Sequence, residues 1–424
     1  MIKIIIASML IVLGVEGATK KVSPPTPKIQ PIELDENGYI LAALDAQSRH
    51  KNELASLYYE KLYTQTGQKE YLYNSLRMIE PIDEAKFTTL TNSALSKNPD
   101  DSTLKRFSII SLLKSGKFSQ AVQEATQLSD KTKAPSDYAL LADGYLKMAN
   151  YQGGFGALQK GYNINFDNEM AERMALIQYV HLGEKKEAIA FLKQHIGVHG
   201  NSKVIGNRLG SFYADSGALD DAAQIYEETY DLSHDPLIAG EAIKIYVYQQ
   251  NTLKLNALLE KSGVNDPFLL ELYVRDKQFD KASELAKKLY KQDPNPLYLA
   301  QSSVFSYEAA KNKNDPKLLD EVVGGLKQVS IEMESPLYLN YLGYLLIDHD
   351  MNITEGMGYV KRALLQQPES PFYLDSLAWG HYKLNECSEA LRLIKQVESL
   401  IGTEEDEVRE HLKAIEKCTI KEKN

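Results

Sequence analysis

The stretch Ser335-Pro-Leu-Tyr-Leu-Asn-Tyr-Leu-Gly-Tyr-Leu-Leu346 returns 35 residues later as Ser370-Pro-Phe-Tyr-Leu-Asp-Ser-Leu-Ala-Trp-Gly-His381. Pro336 recurs at Pro371, Tyr338 at Tyr373, Leu342 at Leu377, and the small residue Gly343 at Ala378. Each copy runs on into a second apolar pattern, so one unit is two helices and a turn. A hairpin of this size cannot bury its own apolar face, and stacking on its neighbours is the arrangement open to it. The chain is constrained to an array.

Earlier in the chain, small or apolar residues recur at Ala55, Phe87, Ala121, Gly154, Ala188 and Ala222, at steps of 32, 34, 33, 34 and 34. Each is expected at the point where the second helix of a hairpin meets the first. The turns before these helices also recur, as Ser115-Gly-Lys-Phe118, Asn150-Tyr151, Leu182-Gly-Glu184 and Ser216-Gly-Ala-Leu219. Gly there supplies the left-handed conformation that ends the first helix. From Asp235 the period loosens. Asp235-Pro236 and Asp266-Pro267 each place a capping residue before Pro at a first helical position. The insertion Ala310-Lys-Asn-Lys-Asn-Asp-Pro316 lengthens a later unit, and a change of curvature is expected across 236–334. The pattern predicts about eleven hairpins over 38–400 in one elongated solenoid. A capping helix and tail over 401–424 follow, the helix running from about Glu404 to Lys417. Its Val408, Leu412 and Ile415 form an apolar face, and Glu405, Arg409, Lys413 and Glu416 a wet one.

Leu209, Gly210, Tyr213, Gly217, Leu219, Ala222 and Tyr226 together resemble the tetratricopeptide repeat. Its first helix carries Leu, a small residue and Tyr, and its second carries small and apolar residues after a Gly turn. The resemblance implies an all-α, right-handed superhelical solenoid whose first helices line a concave face. On that face it places Arg173, Ile177, Asn207, Arg208, Ser211, Asn340, Tyr344, Asp375 and Trp379 as partner-binding residues. Aromatic, Arg and Asn side chains suit such a surface. For Tyr344 and Trp379 the competing expectation is packing between repeats, and for Trp379, beside the small Ala378, packing is the preferred reading. Chaperone-binding members of the family clamp a terminal carboxylate with Lys and Asn in adjacent first helices. That set is not reproduced, so their specificity is not implied.

The N-terminal stretch 1–17 reads as a secretory signal, with Lys3 before an apolar run from Ile4 to Val15 and cleavage expected before Ala18. An uncleaved anchor to the inner membrane is the alternative. No Cys follows the run, which disfavours a lipid anchor. Residues 18–37 hold Pro24, Pro25, Pro27 and Pro31 and read as an extended spacer. The chain of 424 residues has a formal charge of −10 and a sequence pI near 5.5. That balance argues against nucleic acid or an anionic membrane surface as the main partner and favours a basic or neutral protein surface.

Few residues point to chemistry. Cys387 opens the last second helix and Cys418 ends the capping helix, on either side of a turn at Gly402. Antiparallel packing would set them opposite each other, as a disulfide in an oxidising compartment or as two free thiols. His195 and His199 have one-turn spacing, but Gly197 and Gly200 interrupt the helix and no further ligands lie near. A solvated helix end is the favoured reading, and no metal or cofactor is expected. Gly153-Gly-Phe-Gly156 lacks the preceding strand and following Lys-Ser or Lys-Thr of a phosphate loop. Gly154 is expected instead at a helix contact, in a soft helix, and Gly324, Gly325, Gly356 and Gly358 suggest the same softness later in the chain. No nucleophile–base or paired-carboxylate motif stands out.

The expectation is a non-catalytic periplasmic scaffold that offers its groove to an extended segment or helix of another protein. It would serve a flagellar, secretion, pilus or polysaccharide-export machine of the cell envelope. The alternative is a carbohydrate- or peptidoglycan-binding accessory protein, which would need exposed aromatics gathered on one concave stretch. The register itself is testable: Ala222→Glu places a charge where two helices meet and should unfold the neighbouring hairpins. Unchanged circular dichroism and melting would refute the register.

Overall fold

The computed structural model describes residues 34–422. The expected signal of 1–17, and the spacer up to residue 33, lie outside the described residues. Helices and the turns between them account for what is described, and two compact units are formed, 34–258 and 259–422.

In the first unit the helices are α1 Glu36–Ser48, α2 Asn52–Thr66, α3 Lys69–Ile79, α4 Glu84–Lys97, α5 Ser102–Lys114, α6 Phe118–Thr132 and α7 Pro135–Lys147. They continue with α8 Tyr151–Asn165, α9 Asn168–Leu176, α10 Lys185–His199, α11 Lys203–Asp215, α12 Leu219–Ser233 and α13 Pro236–Tyr248. Helix α14, Thr252–Ser262, carries the boundary. In the second unit follow α15 Asp266–Arg275, α16 Phe279–Gln292, α17 Pro296–Ala309, α18 Pro316–Glu332 and α19 Pro336–Asp348. The last helices are α20 Ile353–Gln366, α21 Pro371–Lys383, α22 Cys387–Ile401 and α23 Asp406–Glu422.

Most helix starts are written in the sequence, but the Asp266-Pro267 start is corrected: Asn265, not Asp266, caps α15, its side chain accepting from the Phe268 N–H. Asp35, Asp83, Asp101, Asp167 and Asp235 each accept a hydrogen bond from a backbone N–H in the first turn of the helix that follows. Pro296, Pro336 and Pro371 each open a first helix, where the missing N–H has no partner to lose. The turn inside a hairpin is equally regular. Two residues before the second helix, the chain turns left-handed at Gly116, Gly183 and Gly217, but also at Ala149, Gln250, Lys277 and Asn385. The following N–H then reaches back five residues, Asn150 to Tyr145 O at 2.9 Å and Ala218 to Tyr213 O at 2.9 Å. This bond closes the first helix whether or not Gly supplies the turn.

Helix contacts rest on the recurring small residues. Ala55, Ala121, Ala188 and Ala222 are fully buried, as is the larger Phe87, and Gly154 is buried at the equivalent place in α8. The Gly153–Gly156 stretch is thus the first turns of α8. Small residues let two backbones approach and leave the large ones to fill the flanks. The extreme case is the pair Gly343 and Gly356, where a Cβ on either residue would lie 2.6 Å from the backbone oxygen of the other. What reads in the sequence as a soft point of α20 is the closest approach of α19 and α20.

The expected irregularity has a structural form. After Ala222 the buried contact residues are Leu255, Ala282, Val322, Gly356 and Ala390, so the steps are 33, 27, 40, 34 and 34. The short α15, of 10 residues, and the 17-residue α18 absorb the difference. The terminal helix α23 is longer than the sequence pattern suggested and buries Val408, Leu412 and Ile415 as expected.

Two substitutions of opposite sign test these contacts. Gly343→Ala should lower stability by roughly 1–3 kcal/mol, because the displaced neighbour is backbone and the gain in helix propensity is smaller. Ala149→Gly should raise it by up to about 1 kcal/mol by relieving a left-handed Ala. Denaturant midpoints read both.

Candidate functional site

The first helices of successive hairpins are tied to one another by side chains about one repeat apart. In the first unit, Arg106 of α5 forms a two-pronged pair with the fully buried Asp137 of α7, at 2.6 and 2.9 Å. That hydrogen bond, against the opposing cost of burial, holds the Arg106 guanidinium above its ordinary pKa. Arg173 of α9 pairs with Asp143 of α7, and Arg208 of α11 pairs with Glu172 of α9, its Nε 2.5 Å from the carboxylate. Lys69 and Asp101 continue the pattern at 2.9 Å. Fork-to-carboxylate geometry of this kind fixes orientation as well as charge.

The sequence-predicted residues divide accordingly. Asn207 and Ser211 are exposed on α11 and free to meet a partner. Arg173 and Arg208 are half-buried and already engaged by carboxylates. Ile177 is corrected: it is only 4 % exposed and belongs to the core of the first unit. The physical reason is helical phase: Ile177 lies seven residues after Met170 and three after Met174, on the stripe that α9 buries. A π-helical turn, Ile177–His181, follows from it, in which the N–H of Leu182 bonds to Ile177 O. The wider turn re-phases the helix end and sends Tyr179 into the core, stacked at 3.9 Å on Phe212 with its hydroxyl 2.6 Å from Asp215.

His195 is likewise placed by its neighbours. It is buried, with Nδ1 2.8 Å from the Tyr162 hydroxyl and Nε2 2.7 Å from Asn168 Oδ1. Both ring nitrogens are therefore occupied, and with its ring 4.9 Å from that of His199 it serves packing rather than ligation. Burial, with the nearby His199, lowers its pKa.

In the second unit the predicted residues converge with others that the sequence did not single out. Asp375 and Trp379 lie one turn apart on α21, and His411 of α23 meets both. Its Nδ1 is 3.0 Å from Asp375 Oδ2, and its ring stacks 4.1 Å from the indole at 14°. Trp379 Nε1 donates to Asp348 Oδ1 of α19 at 3.0 Å, and Lys383 Nζ donates to the Asp348 backbone oxygen at 3.0 Å. Tyr344 of α19 faces the same helix, its ring 6.4 Å from His411 and its hydroxyl beside Glu407. Asn340 and Asp375, expected at a surface, are corrected to buried, at 1 % and 3 % exposure. The reason is that α19 is packed on both sides and α23 lies over α21. The Trp379 reading as packing describes its stack on His411 and on Tyr382 at 4.7 Å.

The electrostatics of this cluster follow from burial among acids. Burial pushes the Tyr344 hydroxyl far above its ordinary value, and the Glu407 and Asp348 charges add to that. The same causes, burial first and then Asp348, push Tyr307 up to about 12. For His411 burial acts downward, but the hydrogen bond and charge of Asp375, with Glu407 and Asp348, outweigh it, so its pKa is raised. His411 is thereby biased towards the cation between Asp375 and Glu407. Cys387 and Cys418 are bonded to each other, with Cα atoms 5.6 Å apart, and pin the end of α23 to the start of α22. His411 escaped the sequence reading because its histidines are scattered. The signal that could have found it is the spacing of 36 to Asp375, which matches the one-repeat spacing of the other ion pairs.

No protein-family model matches the chain. A TPR repeat-containing protein of Pseudomonas aeruginosa is 24% identical over 197 residues, which are 46% of this chain and 28% of that relative's own length. Among solved structures, the Cut9–Hcn1 hetero-tetramer of the APC/C is matched over 90% of this chain and 96% of that chain, with a TM-score of 0.37 and 11% identity. Yeast Tom70 is matched over 92% and 96%, with a TM-score of 0.33 and 15% identity. Neither structural likeness bears on function.

His411 makes stability depend on pH. Its folded pKa is raised from the ordinary 6.5, so its contribution is fully present below that value and is lost as pH rises through the folded pKa. Hydrogen-exchange protection of α23 should fall over that interval. His411→Gln should abolish the dependence and cost about 3–5 kcal/mol, since it leaves Asp375 buried without its cation.

Proposed function

Because the chain is a tetratricopeptide-type array of helix hairpins, we propose that it is an exported, periplasmic, non-catalytic scaffold that holds proteins of a cell-envelope machine together. The observation that carries this reading is the division of labour on the first helices. Arg106, Arg173 and Arg208 are consumed in fixing one repeat to the next, while Asn207 and Ser211, one turn apart on α11, are left exposed. Short polar side chains on a rigid helix can hydrogen-bond the backbone of an extended segment, or a helix, at low entropic cost. The signal-like sequence pattern of residues 1–17 and the net charge of −10 support export and a basic or neutral partner surface.

The carbohydrate-binding alternative needs clustered aromatic platforms. Among the described residues the exposed aromatic side chains are Phe166 and Tyr248, on different hairpins. The scaffold reading is therefore the one pursued. Among the described residues no helix is long and apolar enough to cross a membrane.

Mild crosslinking of the tagged full-length protein in its own host, followed by mass spectrometry, tests the proposal. Enrichment of the members of one envelope assembly is expected, and Asn207→Glu with Ser211→Glu should reduce that enrichment without changing the melting temperature. Retention of sugar or peptidoglycan fragments with no protein partner would overturn it.

A further inference from the structure

Asp375 and Trp379 form a receptor for a cation: a buried carboxylate beside the face of an indole whose N–H is anchored on Asp348. In the structure His411 fills it, 3.0 Å from the carboxylate and 4.1 Å from the indole ring. The fit is incomplete in one respect. A single imidazole nitrogen, Nδ1, lies 3.0 and 3.1 Å from the two carboxylate oxygens, so one donor has to serve both. A guanidinium matches that arrangement better, because it can stack on the indole and donate to both oxygens at once. Asp348 of α19, which stays in place when α23 leaves, adds negative charge to the same place, and the chain as a whole carries −10.

The helix that delivers His411 is held by an apolar stripe, Val408, Leu412 and Ile415, and by the bond from Cys418 to Cys387. While that bond is closed, the end of α23 cannot leave α22, and any competitor faces a tethered helix at high effective concentration. Opening it requires a dithiol. Two electrons and two protons pass to the cystine, which becomes two thiols, while the dithiol closes to its own disulfide.

We propose that the Asp375–Trp379 receptor is a docking site for a basic amphipathic helix of a partner protein, and that α23 is its displaceable intramolecular occupant, released when the Cys387–Cys418 bond is reduced. The proposal rests on the scaffold reading and names the partner chemistry at one end of the array. The partner helix presents an Arg where α23 presents His411 and an apolar stripe where α23 presents Val408, Leu412 and Ile415.

Two measurements on the full chain test it. Hydrogen exchange of the oxidised protein and of the protein reduced with dithiothreitol should show α23 losing protection on reduction while α19 and α21 keep theirs. Unchanged protection of α23 would overturn the proposal. The second probe is a fluorescein-labelled synthetic peptide of residues 404–420 carrying His411→Arg and Cys418→Ser. Its anisotropy should report binding to the reduced protein and none to the oxidised one. Asp375→Asn in the protein should weaken binding by at least about 30-fold, the usual consequence of removing one member of a buried hydrogen-bonded charge pair. Trp379→Leu should also weaken it. Equal binding to oxidised and reduced protein, no binding to the reduced form, or indifference to Asp375→Asn would each refute the docking site. Such a failure leaves the scaffold reading standing if crosslinking still captures envelope proteins through the rest of the array.

Discussion

The structure depends on how closely two helix backbones can approach within a hairpin. Gly343 and Gly356 set the limit, since neither has room for a Cβ, and the buried Ala residues at 55, 121, 188 and 222 repeat the same contact with one methyl group of spacing. Close approach brings the flanking Leu, Tyr and Phe side chains into contact with the next hairpin, so the core of each unit is shared between repeats rather than enclosed in any one of them. A residue that separates the two helices of one hairpin therefore loosens its neighbours too.

With the apolar residues committed to that contact, polar residues on the first helices have two uses. Some bind one repeat to the next, as in Arg106 with Asp137 and Arg208 with Glu172. The remainder stay open, as Asn207 and Ser211 do. The distinction matters for recognition because a cation already neutralised by a carboxylate one repeat away contributes direction and rigidity but little free charge.

The end of the second unit follows different chemistry. Asp375, Trp379 and His411 bring a carboxylate, an indole and an imidazole together out of water, where each interaction is stronger than it would be at the surface and each unpaired member more costly. The disulfide adds a covalent tether around the same helix, and closing a loop of this length contributes on the order of 3 kcal/mol. One titratable pair, one covalent bond and one apolar stripe together hold this helix.

The repeat, the helix starts and the buried contact residues were legible in the sequence because they depend on local rules. Capping Asp, Pro at the first position and small residues at a fixed period act within one hairpin, whereas α23, expected over about Glu404 to Lys417, runs from Asp406 to Glu422. The site was legible in part. Asp375 and Trp379 were singled out, but as surface residues, and His411 was passed over. Ile177 was misplaced although its spacing from Met170 and Met174 puts it on the buried stripe of α9, and the π-helical turn after it, which sends Tyr179 into the core, was announced by no local pattern. Sequence by itself determined an all-helical hairpin array and the small residues at which the two helices of a hairpin meet. Tertiary structure alone decided which polar groups are spent between repeats and which remain open, because that depends on distances between residues thirty or more positions apart, set jointly by every helix packed between them.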